Sequence, residues 1–257
     1  MCLILWANDC HPKYKLVLMA NRDEFYARPT SPAAFWAEYP SILAGKDEKE
    51  GGTWMGITTE GRWGALANYR EPFDHDPQAP SRGHLVQKYL ESSITAENYM
   101  QNLLAEDQPY NGYSILAGTC NQIYYFSNRE KVVREVEKGV HGLSNGLLDT
   151  PWPKVTKGKK ALIAALRKVN LDVEDLFAIM ADREPPADHE LPHTGMSLEL
   201  ERMLAALHVE SETLGYGTRS TTIMLIDHHH KVQFWERSFA PSQAGSSNEV
   251  YYEFKVG

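Results

Sequence analysis

Three cysteines in 257 residues is an odd and sparse count. It argues against a disulfide framework and for a reducing compartment. Basic residues are outnumbered as well, with 26 Lys and Arg against 34 Asp and Glu and a formal net charge of −8. Nucleic acid needs clustered cations, so it is excluded as a partner. The only dense basic stretch, 154–160, follows two prolines and reads as a solvated helix start. No run approaches the ~20 apolar residues of a membrane span. No basic segment precedes the apolar start Met1-Cys2-Leu3-Ile4-Leu5-Trp6, so no secretory signal is expected and the cytoplasm is the expected location. The chain contains neither internal repeat nor low-complexity tract, and 42% hydrophobic with 23% charged residues is an ordinary globular composition.

Apolar segments come in pairs around turns. Residues 2–7 and 15–21 flank a turn near 9–12; 53–58 and 63–68 flank 59–62; 114–117 and 122–126 flank 118–121; 221–226 and 232–236 flank 227–231. Each pair predicts a β-hairpin. The unbroken run Leu16-Val17-Leu18-Met19 predicts a strand covered on both faces. Apolar residues at three- and four-residue spacing predict helices over 84–90, 96–104, 155–168, 173–181 and 198–207. Hairpins with separate helical blocks predict one α+β domain over 1–257, with antiparallel sheets sandwiched by helices. The Pro- and Asp-rich loops 71–82 and 183–195 are candidate flaps over a site, or plain surface loops.

Chemistry concentrates at the start. Initiator methionine is normally removed before a small residue, which would leave Cys2 with a thiol and a free α-amine. The amine, with an ordinary pKa of ~7.7–8.0, can act as the base for its own thiol. Retention of Met1 would remove that base and favour ligand carriage over catalysis. Hairpin geometry sets Cys2 near Asn21, beside the polar block Asn21-Arg22-Asp23-Glu24. Arg22 is a candidate holder of thiolate and substrate carbonyl, and Asp23 or Glu24 of the α-ammonium. A solvated strand end is the plainer alternative. The run Asp227-His228-His229-His230 occupies a turn tip and is not taken as a metal site; no metal or cofactor is expected. Cys10 and Cys120 lie in turns, and Trp6, Trp36, Trp54, Trp63 and Trp152 read as core.

Met1-Cys2 with Asn21-Arg22-Asp23-Glu24 resembles the NRDE, or Transport and Golgi organisation 2, family. Further matching strings are Gly51-Gly52-Thr53-Trp54, Leu66-Ala67-Asn68-Tyr69-Arg70, Gly142-Leu143-Ser144-Asn145, Pro151-Trp152-Pro153-Lys154 and Tyr216-Gly217-Thr218-Arg219-Ser220-Thr221. That family is similar to cysteine N-terminal nucleophile (Ntn) hydrolases. The resemblance implies a four-layer αββα sandwich and cleavage of linear amide C–N bonds, with Cys2 as nucleophile. It implies Asn68 and Asn145 as polar contacts and Arg219 as the late arginine. The hydrolases space their Arg and Asp three apart, whereas Arg22 and Asp23 are adjacent; aligned on Phe25, Asn21 and Glu24 take those places as substrate contacts. Losing one oxyanion donor costs ~10²–10³ in rate, against about tenfold for full thiol ionisation, so the asparagines should outrank thiol tuning. The resemblance equally implies a carrier for haem-like or acyl-lipid ligands. The expected partner is therefore a small acyl or amide compound, or a haem-like ligand.

Overall fold

The computed structural model describes residues 2–106, 108–239 and 247–257. In chain order the strands are β1 (Cys2–Asn8), β2 (Tyr14–Phe25), β3 (Thr30–Phe35), β4 (Ile42–Asp47), β5 (Met55–Thr58) and β6 (Trp63–Asn68). Helices α1 (Gly83–Glu91) and α2 (Ala96–Ala105) follow, then β7 (Tyr113–Gly118), β8 (Ile123–Ser127), β9 (Val133–Glu135) and β10 (Gly139–Leu143). The chain continues through α3 (Pro153–Ala165), α4 (Val173–Met180) and α5 (Leu198–Leu204) into β11 (Glu210–Ser211), β12 (Tyr216–Asp227), β13 (Lys231–Phe239) and β14 (Ser247–Lys255).

These form two seven-stranded antiparallel sheets. The first runs β10-β1-β2-β12-β13-β14 with β11 beside β12, and the second β3 to β9 in sequence order. Alternation along each strand sorts the core into layers. Ile4, Trp6, Leu16 and Leu18 meet Met55, Ile57, Trp63 and Ala65 between the sheets. Leu3, Leu5, Val17 and Met19 point the other way, into Val155, Leu162, Leu176 and Phe177 of α3 and α4. On the far side Leu66, Ile115 and Ala117 meet Leu85, Val86, Tyr89 and Met100 of α1 and α2. The result is the expected four-layer αββα sandwich. Strands β1 and β2 are apolar on both faces because both faces are covered.

All four expected hairpins form: β1/β2, β5/β6, β7/β8 and β12/β13. The 155–168 helix instead begins at Pro153, where the missing N–H costs nothing, and ends at Ala165. Strands β3, β4, β9, β10, β11 and β14 carry no hairpin signal. Strand β3 holds Pro32 and lies at a sheet edge. Strand β14 packs Val250, Tyr252 and Phe254 on the inter-sheet core.

Candidate active site

Strand β1 begins where β2 ends. Its partner register places Arg22 opposite Cys2 and Asn21 opposite Leu3, one residue from the expected pairing. The turn is centred on residue 12 rather than between 11 and 12. A one-residue shift exchanges faces, so Arg22 rather than Asn21 lies opposite Cys2, and strand alternation divides the polar block. Arg22 shares the inter-sheet side with Cys2, whereas Asn21 faces the helices.

A cavity of about 540 Å³ opens over this strand end, and Cys2, Arg22, Asp23, Glu24, Trp54 and Asn68 line it. Cys2 is 9% exposed, and burial pushes its thiol pKa up. The Arg22 guanidinium lies 4.2 Å from the Trp54 ring centroid, donates to Thr30 Oγ1 at 2.9 Å, and meets Asp47 at 3.4 Å. Asp47 also pairs with Arg28 at 2.9 Å and accepts from the backbone N–H groups of Lys49 and Glu50. Trp54 reaches this position through Gly51 and Gly52. Gly51 has φ +83°, which glycine adopts without penalty. A Cβ on Gly52 would lie 2.6 Å from the Gly83 carbonyl carbon at the start of α1. Residues 75–81 of the 71–82 loop form one wall of the cavity. Arg82 also lines the cavity; it donates to the Gly112 carbonyl at 2.9 Å, and burial lowers its pKa.

The opposite face is an anchor. Asn21 Nδ2 donates to the carbonyls of Met180 and Leu207, both at 2.9 Å, and Oδ1 accepts from Thr221 at 2.6 Å. Asn21 is 1% exposed with its amide fully engaged, which removes it from the expected substrate contacts. Asp23 Oδ1 accepts from Thr218 at 2.7 Å; burial raises its pKa, and Lys154 opposes that shift. Lys154 corrects another expectation. It is 1% exposed rather than solvated, and burial pushes its pKa down to about 8, against the pull of Asp23.

Asn145 is committed as well. Its Nδ2 donates to the Asn68 carbonyl at 3.0 Å, and its Oδ1 accepts from Ser144 and Lys154, both at 3.3 Å. Ser144 Oγ also lies 3.0 Å from the Cys2 carbonyl, so its single O–H is shared between the two acceptors. Asn145 thus fixes the backbone of Asn68 and does not line the cavity, whereas the Asn68 side chain does. Among the described residues no hydrogen bond engages the Asn68 side-chain amide, which leaves it available to a ligand. Arg219 lies at a bulge in β12 and donates through Nη1 to the carbonyls of Phe25, Tyr26 and Arg28. It braces the segment after β2 and is not among the cavity-lining residues. Cys2, Arg22, Asp23, Glu24 and Asn68 therefore meet at the cavity; Asn21, Asn145 and Arg219 support it from behind.

Sequence reasoning did not single out Asp47, Arg70, Arg82 or Lys154. Arg70 and Lys154 stood inside the quoted strings, and that was the available signal. Arg70 pairs with Glu201 at 2.6 Å, with side chains only 4% and 5% exposed, and lies 4.6 Å from the Trp152 ring centroid. Glu201 accepts from Thr194 N–H at 3.1 Å, which ties the end of the 183–195 loop to the site. A second cavity of about 670 Å³ shares Glu24, Asn68 and Arg82 with the first and continues onto Phe25, Met196, Met203 and Leu214.

Residues 1–241 match the Transport and Golgi organisation 2 family. The chain is 37% identical over 277 residues to the Transport and Golgi organization protein 2 homolog of Homo sapiens, covering 100% of this chain and 99% of that one. The chain belongs to the Transport and Golgi organisation 2 family. The Drosophila melanogaster member is 31% identical over 292 residues, with all of both chains covered. Among solved structures, the fold is similar to conjugated bile acid hydrolase from Clostridium perfringens, with TM-score 0.53, 9% identity, and 100% and 97% of the two chains covered. It is also similar to the Caenorhabditis elegans ortholog of N-acylethanolamine-hydrolyzing acid amidase, with TM-score 0.52, 10% identity, and 88% and 92% covered. At such identities the likeness shows the Ntn-hydrolase fold alone. The quoted family strings meet at one place here: Trp54 under Arg22, Asn68 at the cavity, Asn145 behind Asn68, and Lys154 behind Asn145.

Proposed function

We propose that this family member is an N-terminal-cysteine hydrolase of linear amide or related acyl compounds, with Cys2 as the nucleophile. The observation that carries the reading is the Cys2 thiol at a cavity it shares with Arg22, directly across the sheet, and with the uncommitted amide of Asn68. In this mechanism the substrate carbonyl carbon meets Sγ, and its oxygen develops negative charge beside Asn68 Nδ2 and the Arg22 guanidinium. Donors fixed before the reaction stabilise that charge without reorganisation. Trp54, Thr30 and Asp47 hold Arg22 in place. The thiol proton passes to a nearby base and then to the leaving amine, and water hydrolyses the thioester. Met1, whose removal would free the α-amine as that base, lies outside the described residues. A reducing, cytoplasmic setting suits three free cysteines.

Replacing Cys2 with Ala should abolish turnover of an N-acyl amide panel while leaving the thermal transition in place. Unchanged turnover on a confirmed substrate sinks the reading. A second reading, a carrier of an amphipathic acyl-lipid or haem-like ligand, is favoured by the apolar second cavity that adjoins the polar one. It expects ligand affinity to survive Cys2→Ser, and loss of binding in that variant counts against it.

A further inference from the structure

A buried ammonium at the start of a helix is doubly unfavourable. Desolvation opposes it, and the positive end of the helix dipole repels it. Lys154 sits in the first turn of α3, which contains no acidic residue, and is 1% exposed. Among the described residues its hydrogen bond goes to Asn145 Oδ1 at 3.3 Å. Contacts lead from there towards the nucleophile: Ser144 Oγ lies 3.3 Å from Asn145 Oδ1 and 3.0 Å from the Cys2 carbonyl, its single O–H shared between these two acceptors. The other arm of Asn145 holds the Asn68 carbonyl at 3.0 Å. One ammonium therefore braces both the strand that carries the thiol and the strand end that carries the free amide. A merely structural site could use a leucine of similar volume at lower cost.

We propose that Lys154 is a positioning residue of the Cys2 site: it orients Asn145, and through it Asn68, and its fixed positive charge favours the Cys2 thiolate. This rests on the Cys2 reading and deepens it. The charges that face Lys154 are Asp23 on β2, the Cys2 thiol on β1 and Arg70 beyond β6. Those that face Cys2 also include the N-terminal ammonium, which is the foremost of them, with Arg22, Glu24 and Arg82. The N-terminal ammonium, Arg22 and Arg82 add positive charge, while Asp23 and Glu24 oppose it, so removing Lys154 shifts the balance against the thiolate. Burial, joined by Asp23 and Glu24, raises the thiol pKa, and Lys154, held near 8, remains largely protonated at neutral pH. Two interacting groups of this kind share their titration steps.

The test is peptide-resolved carboxamidomethylation of Cys2 with iodoacetamide across pH 6 to 10, which needs no substrate. Lys154→Met should slow Cys2 alkylation about tenfold at pH 7 and move its midpoint upward, and Lys154→Arg should restore much of the rate. Cys10 should be unaffected in both. An unchanged Cys2 profile in folded Lys154→Met overturns the proposal. Should that variant fail to fold, the reciprocal measurement decides. The ε-carbon resonance of Lys154 should titrate at lower pH in Cys2→Ala than in the natural chain, and identical titrations overturn the coupling. Intact coupling without turnover on any amide would count against hydrolysis while leaving Lys154 in this role.

Discussion

The two faces of the end of β2 carry consecutive residues to opposite fates. On one face Arg22 and Glu24 border a cavity beside Cys2. On the other, Asn21 is sealed among Met180, Leu207 and Thr221, while Asp23 accepts from Thr218 and still borders the cavity. Burial of polar groups is tolerated only where partners are complete, and the anchor face meets that condition for Asn21. The cavity face keeps side-chain capacity in reserve, notably the Asn68 amide. Four polar residues in a row therefore encode two separate tasks, with strand alternation as the sorting device.

Mutations should break these faces differently. The largest stability effect belongs to the buried pair behind them. Arg70→Met leaves the Glu201 carboxylate without its cation at 5% exposure, and should cost about 3–5 kcal/mol in urea unfolding. On the faces themselves, Asn21→Ala orphans two buried carbonyls and the Thr221 hydroxyl and should cost about 3 kcal/mol. Arg22→Gln should cost only about 1 kcal/mol, because Arg28 still neutralises Asp47, yet it should remove most ligand binding or turnover. A reversed order in the two unfolding curves would contradict the division of faces.

A pH effect sharpens the same anchor. His208, next to the Asn21 acceptor Leu207, is 6% exposed, and among the described residues its Nδ1 has no partner. Burial, helped by the positive charge of Arg183, pushes its pKa from 6.5 down to about 4. The unfolded chain takes up the proton below 6.5 while the folded one resists until about 4. This contribution is therefore present above pH 6.5 and lost as pH falls towards 4, by roughly 2–3 kcal/mol. His208→Phe should flatten that slope in unfolding free energies measured from pH 7 to 4, and an unchanged slope would place the proton elsewhere.

Most of the layering was legible in the sequence, because hairpin turns and two-faced apolar runs such as Leu16–Met19 report directly on burial. Edge strands were not: β3 is interrupted by proline, and β9 spans only three residues. Spacing and resemblance had pointed to Cys2, Arg22, Asp23, Glu24 and Asn68, and all five line one cavity. Asn21 was expected as a substrate contact from the alignment on Phe25, and that alignment does not show which face of β2 the side chain takes; its amide is bonded to Met180, Leu207 and Thr221 instead. Lys154 was misassigned because a run of lysines resembles a solvated surface, and only packing shows that the first of them turns inward. Asp47, at the end of β4, offered no local signal, since its partners Arg22 and Arg28 lie on and just beyond another strand.

In the proposed reaction, bond cleavage passes through the Cys2 sulfur. It is tested most directly by acid-quenching a reaction with an N-acyl p-nitroanilide that the protein turns over, and mapping the acyl adduct by peptide mass. Cys2 chemistry predicts an acyl thioester on the N-terminal peptide, absent from Cys2→Ala. An adduct on Cys10 or Cys120, or turnover that persists in Cys2→Ala, would contradict it.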